Sequence, residues 1–360
     1  MASASQQQQD TSNSHSKKLL LVVVGATGNQ GGSVARRFLQ DGRYAVRGLT
    51  RDPSSPAARE LAALGAEMVR ADLDDVASLE AAFRGANLIF SVTNYWEPFF
   101  RPDCRARAQA LGVTCRRYAY DVEYAQGKNI ADAAAAVAVD SLVENGFLAS
   151  TLSHAGQCSA GRFKDLYHFD AKADVFPDYV VATHPALAAK MSCIQTGFFT
   201  TSHRILPESY FQKLPDGTFE MRFPCSPDKP IPHLDVNHDT GPFVYAVAQM
   251  PPGKHYMAAG EYRPWPEFAD AWAALTGATI KYRQVSFDEM VADTADRDCG
   301  IEVALMFEYS SDPGYDGGKE VLKAEDLRKA GIDCPMLTVE EALARQDWTP
   351  ILNKAVYRSS

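Results

Sequence analysis

The sequence predicts an α/β protein: a Rossmann-type, doubly wound parallel sheet carrying a smaller α/β C-terminal substrate lobe. Three observations lead there. Apolar, β-branched runs alternate with helical patterns through the first half of the chain. Four glycines, Gly25, Gly28, Gly31 and Gly32, crowd the point where one such run gives way to a helix. The chain is 360 residues long and 46% hydrophobic, enough to bury a large core.

Taken in order, "KLLLVVV", "GSVARRFLQ", "YAVRGL", "AARELAAL", "AEMVRA", "VASLEAAF", "ANLIFSV", "GKNIADAAAAVAVDSLV" and "FLASTLS" read βαβαβαβαβ. Strands joined through helices cannot be hairpin partners, so right-handed crossovers build a parallel sheet with helices on both faces. "LLLVVV" and "LIFSV" are continuous apolar runs, as strands covered on two faces should be. Between "TNYWEPFF" and "GKNIADAA", residues 101–125 are rich in Arg and Tyr and are expected to form a surface excursion near the ligand crevice. Beyond about Thr200 the alternation fades and Pro-rich turns ("LPDG", "SPDKPIPH", "QMPPG") separate short elements. Residues 17–199 are therefore expected to be the nucleotide-binding domain and residues 200–360 the smaller lobe. Near the end, "EEALARQDWTPIL" reads as an amphipathic helix docked on the core.

Charge and composition narrow the function. Lys plus Arg number 36 against 45 Asp plus Glu, a formal charge of -9, which disfavours direct contact with nucleic acid or an anionic membrane. Residues 1–16, "MASASQQQQDTSNSHS", are Ser/Gln-rich and are expected to be a disordered tail. They have neither the apolar centre of a secretory signal nor the arginines of a mitochondrial presequence, so the expected address is the cytoplasm, with the nucleus added if the role is regulatory. The seven cysteines are scattered without a CxxC pair and are expected to be free thiols, with Cys104 and Cys115 inside the polar insertion. No metal site is expected. His233 and Asp235 share a strand face, but no third ligand has defined spacing, and Asp239 before Thr240 reads as a helix N-cap.

The chemistry begins at Gly25-Ala26-Thr27-Gly28-Asn29-Gln30-Gly31, a GxxGxxG that follows a strand and opens a helix. Gly25 permits the tight turn, Gly28 lets the backbone approach a pyrophosphate, and Gly31 lets the helix pack close to the strand. The amides and positive end of the helix then face the anion. The second strand ends "RGLTRDP", with Arg51 where the ribose selector belongs. A guanidinium suits a 2′-phosphate, so NADP(H) is expected as the preferred cofactor and NAD(H) as the alternative if Asp52 points inward. After the third strand, "ADLDD" places Asp72 and Leu73 at the adenine pocket, with N-capping by Asp72 or Asp74 compatible with that role. After the fourth, Thr93, Asn94 and Tyr95 stand over the crevice.

"GATGNQGGSVARRFL", "RGLTRDP", "ADLDD", "TNYWE", "QGKNIADAA", "HFDAKADV" and "QTGFF" together resemble the NmrA-like proteins, atypical short-chain dehydrogenase/reductases, over about Lys18 to Leu275 and most clearly in their fungal form. The resemblance implies one of two roles: an NADP(H)-dependent oxidoreductase acting on a small molecule, often in secondary metabolism, or an NAD(P)-sensing regulator acting through a protein partner. It also implies that Lys172 lies near the cofactor ribose and nicotinamide, and that Gly197 and Phe198 lie beside the nicotinamide. A conventional Tyr/Lys pair is missing: Tyr124 and Lys128 match YxxxK in the wrong place, and Tyr167 precedes Lys172 by five residues, which turns the two apart on a regular helix. The catalytic residues expected for an enzyme are therefore Lys172 with Tyr95, Ser153, His154 or Tyr167.

Overall fold

The computed structural model describes residues 17–356, so the expected disordered tail lies outside the described residues. Strands β1 (Leu19–Val23), β2 (Tyr44–Thr50), β3 (Glu67–Arg70), β4 (Leu88–Ser91), β5 (Phe147–Thr151) and β6 (Met191–Thr196) alternate with helices, as the periodicity predicts. Beyond them come β7 (Phe198–Phe199), β8 (Gln212–Lys213), β9 (Phe219–Phe223), β10 (Ile231–Leu234), β11 (His255–Ala258), β12 (Glu261–Arg263) and β13 (Ile280–Gln284). The large sheet is seven-stranded and parallel, in the order β11-β6-β5-β4-β1-β2-β3. β1 lies between β2 and β4, so the chain reverses direction across the sheet at β1, where such folds open a crevice at their carboxyl edge. Leu21, Val22 and Val23 of β1 are completely buried, which accounts for the unbroken apolar run.

Helices α1 (Asn29–Leu39), α2 (Pro56–Ala63), α3 (Val76–Phe83), α4 (Trp96–Phe100), α5 (Pro102–Leu111) and α6 (Cys115–Val137) follow in order, then the short α7 (Ala155–Cys158) and α8 (Tyr167–Ala173). The expected surface excursion at residues 101–125 is instead helical. Pro102 starts α5, Gly112 ends it in the left-handed conformation, and Thr114 caps α6 through its hydroxyl. α6 therefore begins twelve residues before "GKNIADAA" and extends above the carboxyl edge of the sheet.

The C-terminal lobe is built on two three-stranded sheets, β12-β10-β7 and β13-β9-β8. Its core is aromatic: Phe223 stacks on Phe307 at 4.0 Å, and Phe198, Tyr210 and Trp265 surround them. Two segments from beyond residue 200 return to the large sheet. β11 pairs with β6, and the helix Thr240–Val247 packs along α1, where a Cβ on Gly241 would lie 2.3 Å from the Ser33 carbonyl oxygen. The amphipathic end is two short helices, Val339–Ala344 and Thr349–Leu352, docked through Val339, Leu343, Trp348 and Ile351. All seven cysteines are free. Burial pushes the thiols of Cys104 and Cys115 up, which works against thiolate chemistry at neutral pH.

A buried ion pair fastens the lobe to the sheet domain. Glu302, on the helix Arg297–Tyr309 and fully buried, accepts from Arg116 Nε at 2.7 Å, from the His168 amide at 2.8 Å and from His168 Nδ1 at 2.7 Å. Breaking a buried charge pair leaves its partner unpaired in a low dielectric. Glu302→Ala is therefore expected to cost about 3–5 kcal/mol in a chemical-denaturation midpoint measurement, whereas the exposed Glu320→Ala should leave the midpoint unchanged.

Candidate functional site

Because β1 to β6 run parallel, the residue after each strand emerges on one edge. The bend after β1, Arg51 after β2, Asp72 and Leu73 after β3, Thr93 to Tyr95 after β4, Ser153 and His154 after β5, and Gly197 and Phe198 after β6 all lie along it.

The bend is shaped by its glycines. Gly25 adopts φ +61°, which a side chain would strain. A Cβ on Gly31 would meet the Gly25 carbonyl oxygen at 2.3 Å, and one on Gly28 the same oxygen at 3.3 Å. Val24 N donates to Phe90 O at 3.0 Å and Ala26 N to Leu49 O at 3.1 Å, so the bend is held from β4 and β2 at once. α2, α3 and α6 are capped by the side chains of Ser55, Asp75 and Thr114, whereas α1 begins at Gly28 with no capping side chain and no acidic residue in its first turn. Gly25, Gly28 and Asn29 are exposed. Amides and the positive helix end thus face solvent at the crevice, the arrangement that accepts an anion. Thr27 Oγ1 lies 3.4 Å from Thr50 Oγ1, and Gln30 Oε1 accepts from Ser150 Oγ at 2.8 Å, tying the bend to β2 and β5.

Arg51 is exposed, with Nη1 2.9 Å from Glu97 Oε1 on α4. Asp52 is held within its own turn; its carboxylate accepts the Ser54 amide at 2.8 Å and the Ser54 hydroxyl at 2.5 Å. The Asp72 carboxylate accepts the Asp74 amide at 3.1 Å, and the cap of α3 is Asp75 rather than Asp72 or Asp74. Leu73 is half-buried, its carbonyl accepting from Asn129 at 2.8 Å. Asn94 is exposed and accepts the Trp96 amide at 3.1 Å.

Lys172, on α8, forms an ion pair with Glu123 on α6, and Thr93 Oγ1 donates to the same Glu123 oxygen at 2.7 Å. Glu123 is fully buried, Lys172 keeps 13% of its side chain exposed, and Glu123 Oε2 is buried without a partner. Glu123 was hidden in the sequence because residues 101–125 read as a surface excursion between a strand and a helix. Once they are helical, Glu123 sits one turn before Gly127 on the face toward α8 and the segment that follows it, where a Gly127 Cβ would lie 3.0 Å from Val175.

The expected catalytic partners are not gathered on Lys172. Tyr95 is 1% exposed and its hydroxyl donates to Arg116 O at 3.1 Å, so it belongs to the core. Ser153 Oγ donates to Tyr315 O at 2.9 Å and lies 2.8 Å from the Tyr309 hydroxyl. Tyr167 donates to Asp165 at 3.1 Å and packs edge-on to Tyr120. Lys128 Nζ lies over the rings of both Tyr179, at 4.7 Å, and Tyr124, at 5.9 Å. Phe198 is a core residue, 4.5 Å from the ring of Tyr315 and 5.3 Å from that of Trp265, and Gly197 is required because a Cβ there would lie 2.7 Å from Pro232 O. Both serve the packing of the second lobe. His233, expected to share a strand face with Asp235, stacks on Phe268 and bonds Arg263 O at 3.0 Å; burial lowers its pKa to about 4. Asp239 stands at the start of its helix, but its carboxylate pairs with His238 and accepts the Leu337 amide instead of capping.

His154 lies between two carboxylates, Nε2 3.0 Å from Asp174 and Nδ1 3.2 Å from Asp170. Asp174 also accepts from the Tyr120 hydroxyl at 2.5 Å. Among the described residues, the donor atoms of His154, Asp174 and Asp178 lie within 4.8 Å of one another, although Asp178 accepts from Gln157 at 2.8 Å. Burial lowers the imidazole, but hydrogen bonds to Asp170 and Asp174 outweigh it and hold His154 up at about 10. The folded state therefore binds this proton more tightly than the unfolded chain. Its stabilisation is complete below pH 6.5 and is lost as pH rises through about 10. His154→Gln is expected to flatten the fall in melting temperature between pH 7 and pH 10; an equally steep fall in the variant would contradict this.

Residues 16–349 match the model of the NmrA-like family. The chain is 30% identical to the NmrA-like family domain-containing oxidoreductase cpsB of Aspergillus campestris, covering 73% of this chain and 75% of that one. It is 29% identical to the corresponding oxidoreductase FrzB of a Cladobotryum species, covering 81% and 83%. Among solved structures, NmrA, described as a negative transcriptional regulator in complex with NADP, superposes with a TM-score of 0.66 at 20% identity, covering 91% of this chain and 95% of that one. The NADPH-dependent quinone oxidoreductase QOR2 of Escherichia coli, complexed with NADPH, does so with a TM-score of 0.61 at 18% identity, covering 91% and 99%. The parallel sheet switched at β1, the glycine bend and the length of the match agree: this chain belongs to the NmrA-like family.

Proposed function

We propose that this protein is an NADP(H)-dependent oxidoreductase acting on a small organic molecule, of the kind fungi use in secondary metabolism. The observation that carries the reading is the Thr93–Glu123–Lys172 cluster at the carboxyl edge of the sheet, one strand away from the glycine bend. A lysine held by a buried carboxylate, with a second carboxylate oxygen unpartnered beside it, is a costly arrangement for stability alone. The relatives named as oxidoreductases support the same reading.

The residues fit the cofactor. The uncapped amides of α1 suit a pyrophosphate, and Arg51 suits a 2′-phosphate now that Asp52 is committed to Ser54. Lys172 would hold ribose hydroxyls. A bound NADPH would supply hydride to a carbonyl, imine or activated alkene. The chain's own part is to hold a proton at Lys172 Nζ for the oxygen or nitrogen left negative by reduction, while Glu123 and Thr93 fix the position of that ammonium. Tyr95 and Ser153, spent on backbone and core contacts, are left out of this role.

Purified protein should consume NADPH with at least one member of a panel of carbonyl and imine compounds, and Lys172→Ala should lower kcat/KM about a hundredfold or more. A second reading, a cofactor sensor, draws on the neighbouring NADP-bound regulator. Tight NADPH binding with no turnover across the panel, together with a co-purifying protein, would replace the enzyme reading by the sensor.

A further inference from the structure

The carboxyl ends of β2 and β3 gather positive charge. Thr50 pairs with Arg70 across the two strands, Arg51 is the next residue, and Arg59 of α2 donates to the Ser54 carbonyl in the same turn. All three arginines are exposed. Asp52, the acid within this group, is turned onto Ser54.

Glu97 enters this cluster from a different part of the chain, 46 residues away from Arg51. Its Oε1 lies 2.9 Å from Arg51 Nη1 and 3.5 Å from Arg101 Nη1. Arg101 has its own bidentate partner in Asp103, with Nε–Oδ1 at 2.9 Å and Nη2–Oδ2 at 2.6 Å. Glu97 is therefore not required to neutralise Arg101, and its closest cation is Arg51. It is the less exposed member of that pair, 29% against 63% for Arg51. α4 holds it: Trp96 stacks on Phe100, Phe99 is fully buried, and Pro98 is buried between them.

We propose that Glu97 is a specificity-determining residue that competes, as an internal carboxylate, with the ribose 2′-phosphate of NADP(H) for Arg51. This rests on the cofactor reading above. A dianionic phosphate must either displace the carboxylate or share the guanidinium with it at the cost of repulsion, whereas the uncharged 2′-hydroxyl of NAD(H) does neither. Glu97 thus narrows the preference for NADP(H) that Arg51 creates.

The test is calorimetric titration of NADPH and NADH into the wild type, Glu97→Gln, Glu97→Ala and Arg51→Ala. Both Glu97 variants should bind NADPH about fivefold more tightly, the size expected for freeing one exposed ion pair, and NADH as the wild type does. Unchanged NADH affinity also shows that the variants fold. If Arg51→Ala weakens NADPH but neither Glu97 variant tightens it, the proposal is overturned while the role of Arg51 stands. Weaker NADPH binding in the Glu97 variants would likewise overturn it, making Glu97 a group that positions Arg51. If Arg51→Ala leaves the affinities for both dinucleotides unchanged, the selector reading fails, and the competition proposed for Glu97 fails with it.

Discussion

The carbonyl oxygen of Gly25 and the Cα of Gly31 share a space that admits no methyl group. That contact fixes where α1 starts relative to the end of β1, and much else follows. Val24 and Ala26 bond to strands on either side, so the bend lies in the gap where the sheet changes direction. A helix placed so close to its strand presents its first amides to the crevice instead of to a capping side chain. The other side of α1 is fitted as tightly. Gly241 comes within van der Waals reach of the Ser33 backbone, and the Ser33 hydroxyl both donates to His238 O at 3.1 Å and accepts the Gly241 amide at 2.9 Å. The helix that carries the anion-facing end is thereby gripped by the second half of the chain.

Two buried acids organise the opposite side of the crevice. Glu123 joins Thr93, after β4, to Lys172 on α8; Glu302 joins Arg116, on α6, to His168 on α8. α6 contributes to both, because its first turns rise above the sheet edge. One network faces the crevice with a partly exposed ammonium, and the other faces the aromatic core of the second lobe. Lys172 and the second lobe are therefore positioned by the same helix pair.

The fold was legible because its signals are local and redundant. Continuous apolar strands, helical periodicity and a glycine motif in strand-to-helix context all led to one topology. The positions of the residues expected to hold a cofactor were legible for the same reason, since each follows the carboxyl end of a strand. The surroundings of the residues expected to be catalytic were not. Tyr95 looked like a loop-tip aromatic, but its ring is fully buried and its hydroxyl is used by a backbone carbonyl of α6. Phe198, placed beside the nicotinamide by family resemblance, is held by Trp265, Phe307 and Tyr315 from segments 67 residues or more away in the chain. Glu97, Glu123 and Glu302 owe their roles to partners 46, 49 and 186 residues distant, a pairing that no local pattern announces.

If the protein binds a nicotinamide dinucleotide as proposed, the glycine bend and the uncapped start of α1 receive its diphosphate. Amide hydrogen exchange, followed by mass spectrometry with and without saturating NADPH, reads that segment directly. Strong protection of residues 24–32, accompanied by protection around Arg51, is the predicted result. Saturable NADPH binding that leaves exchange at residues 24–32 unaltered would contradict it.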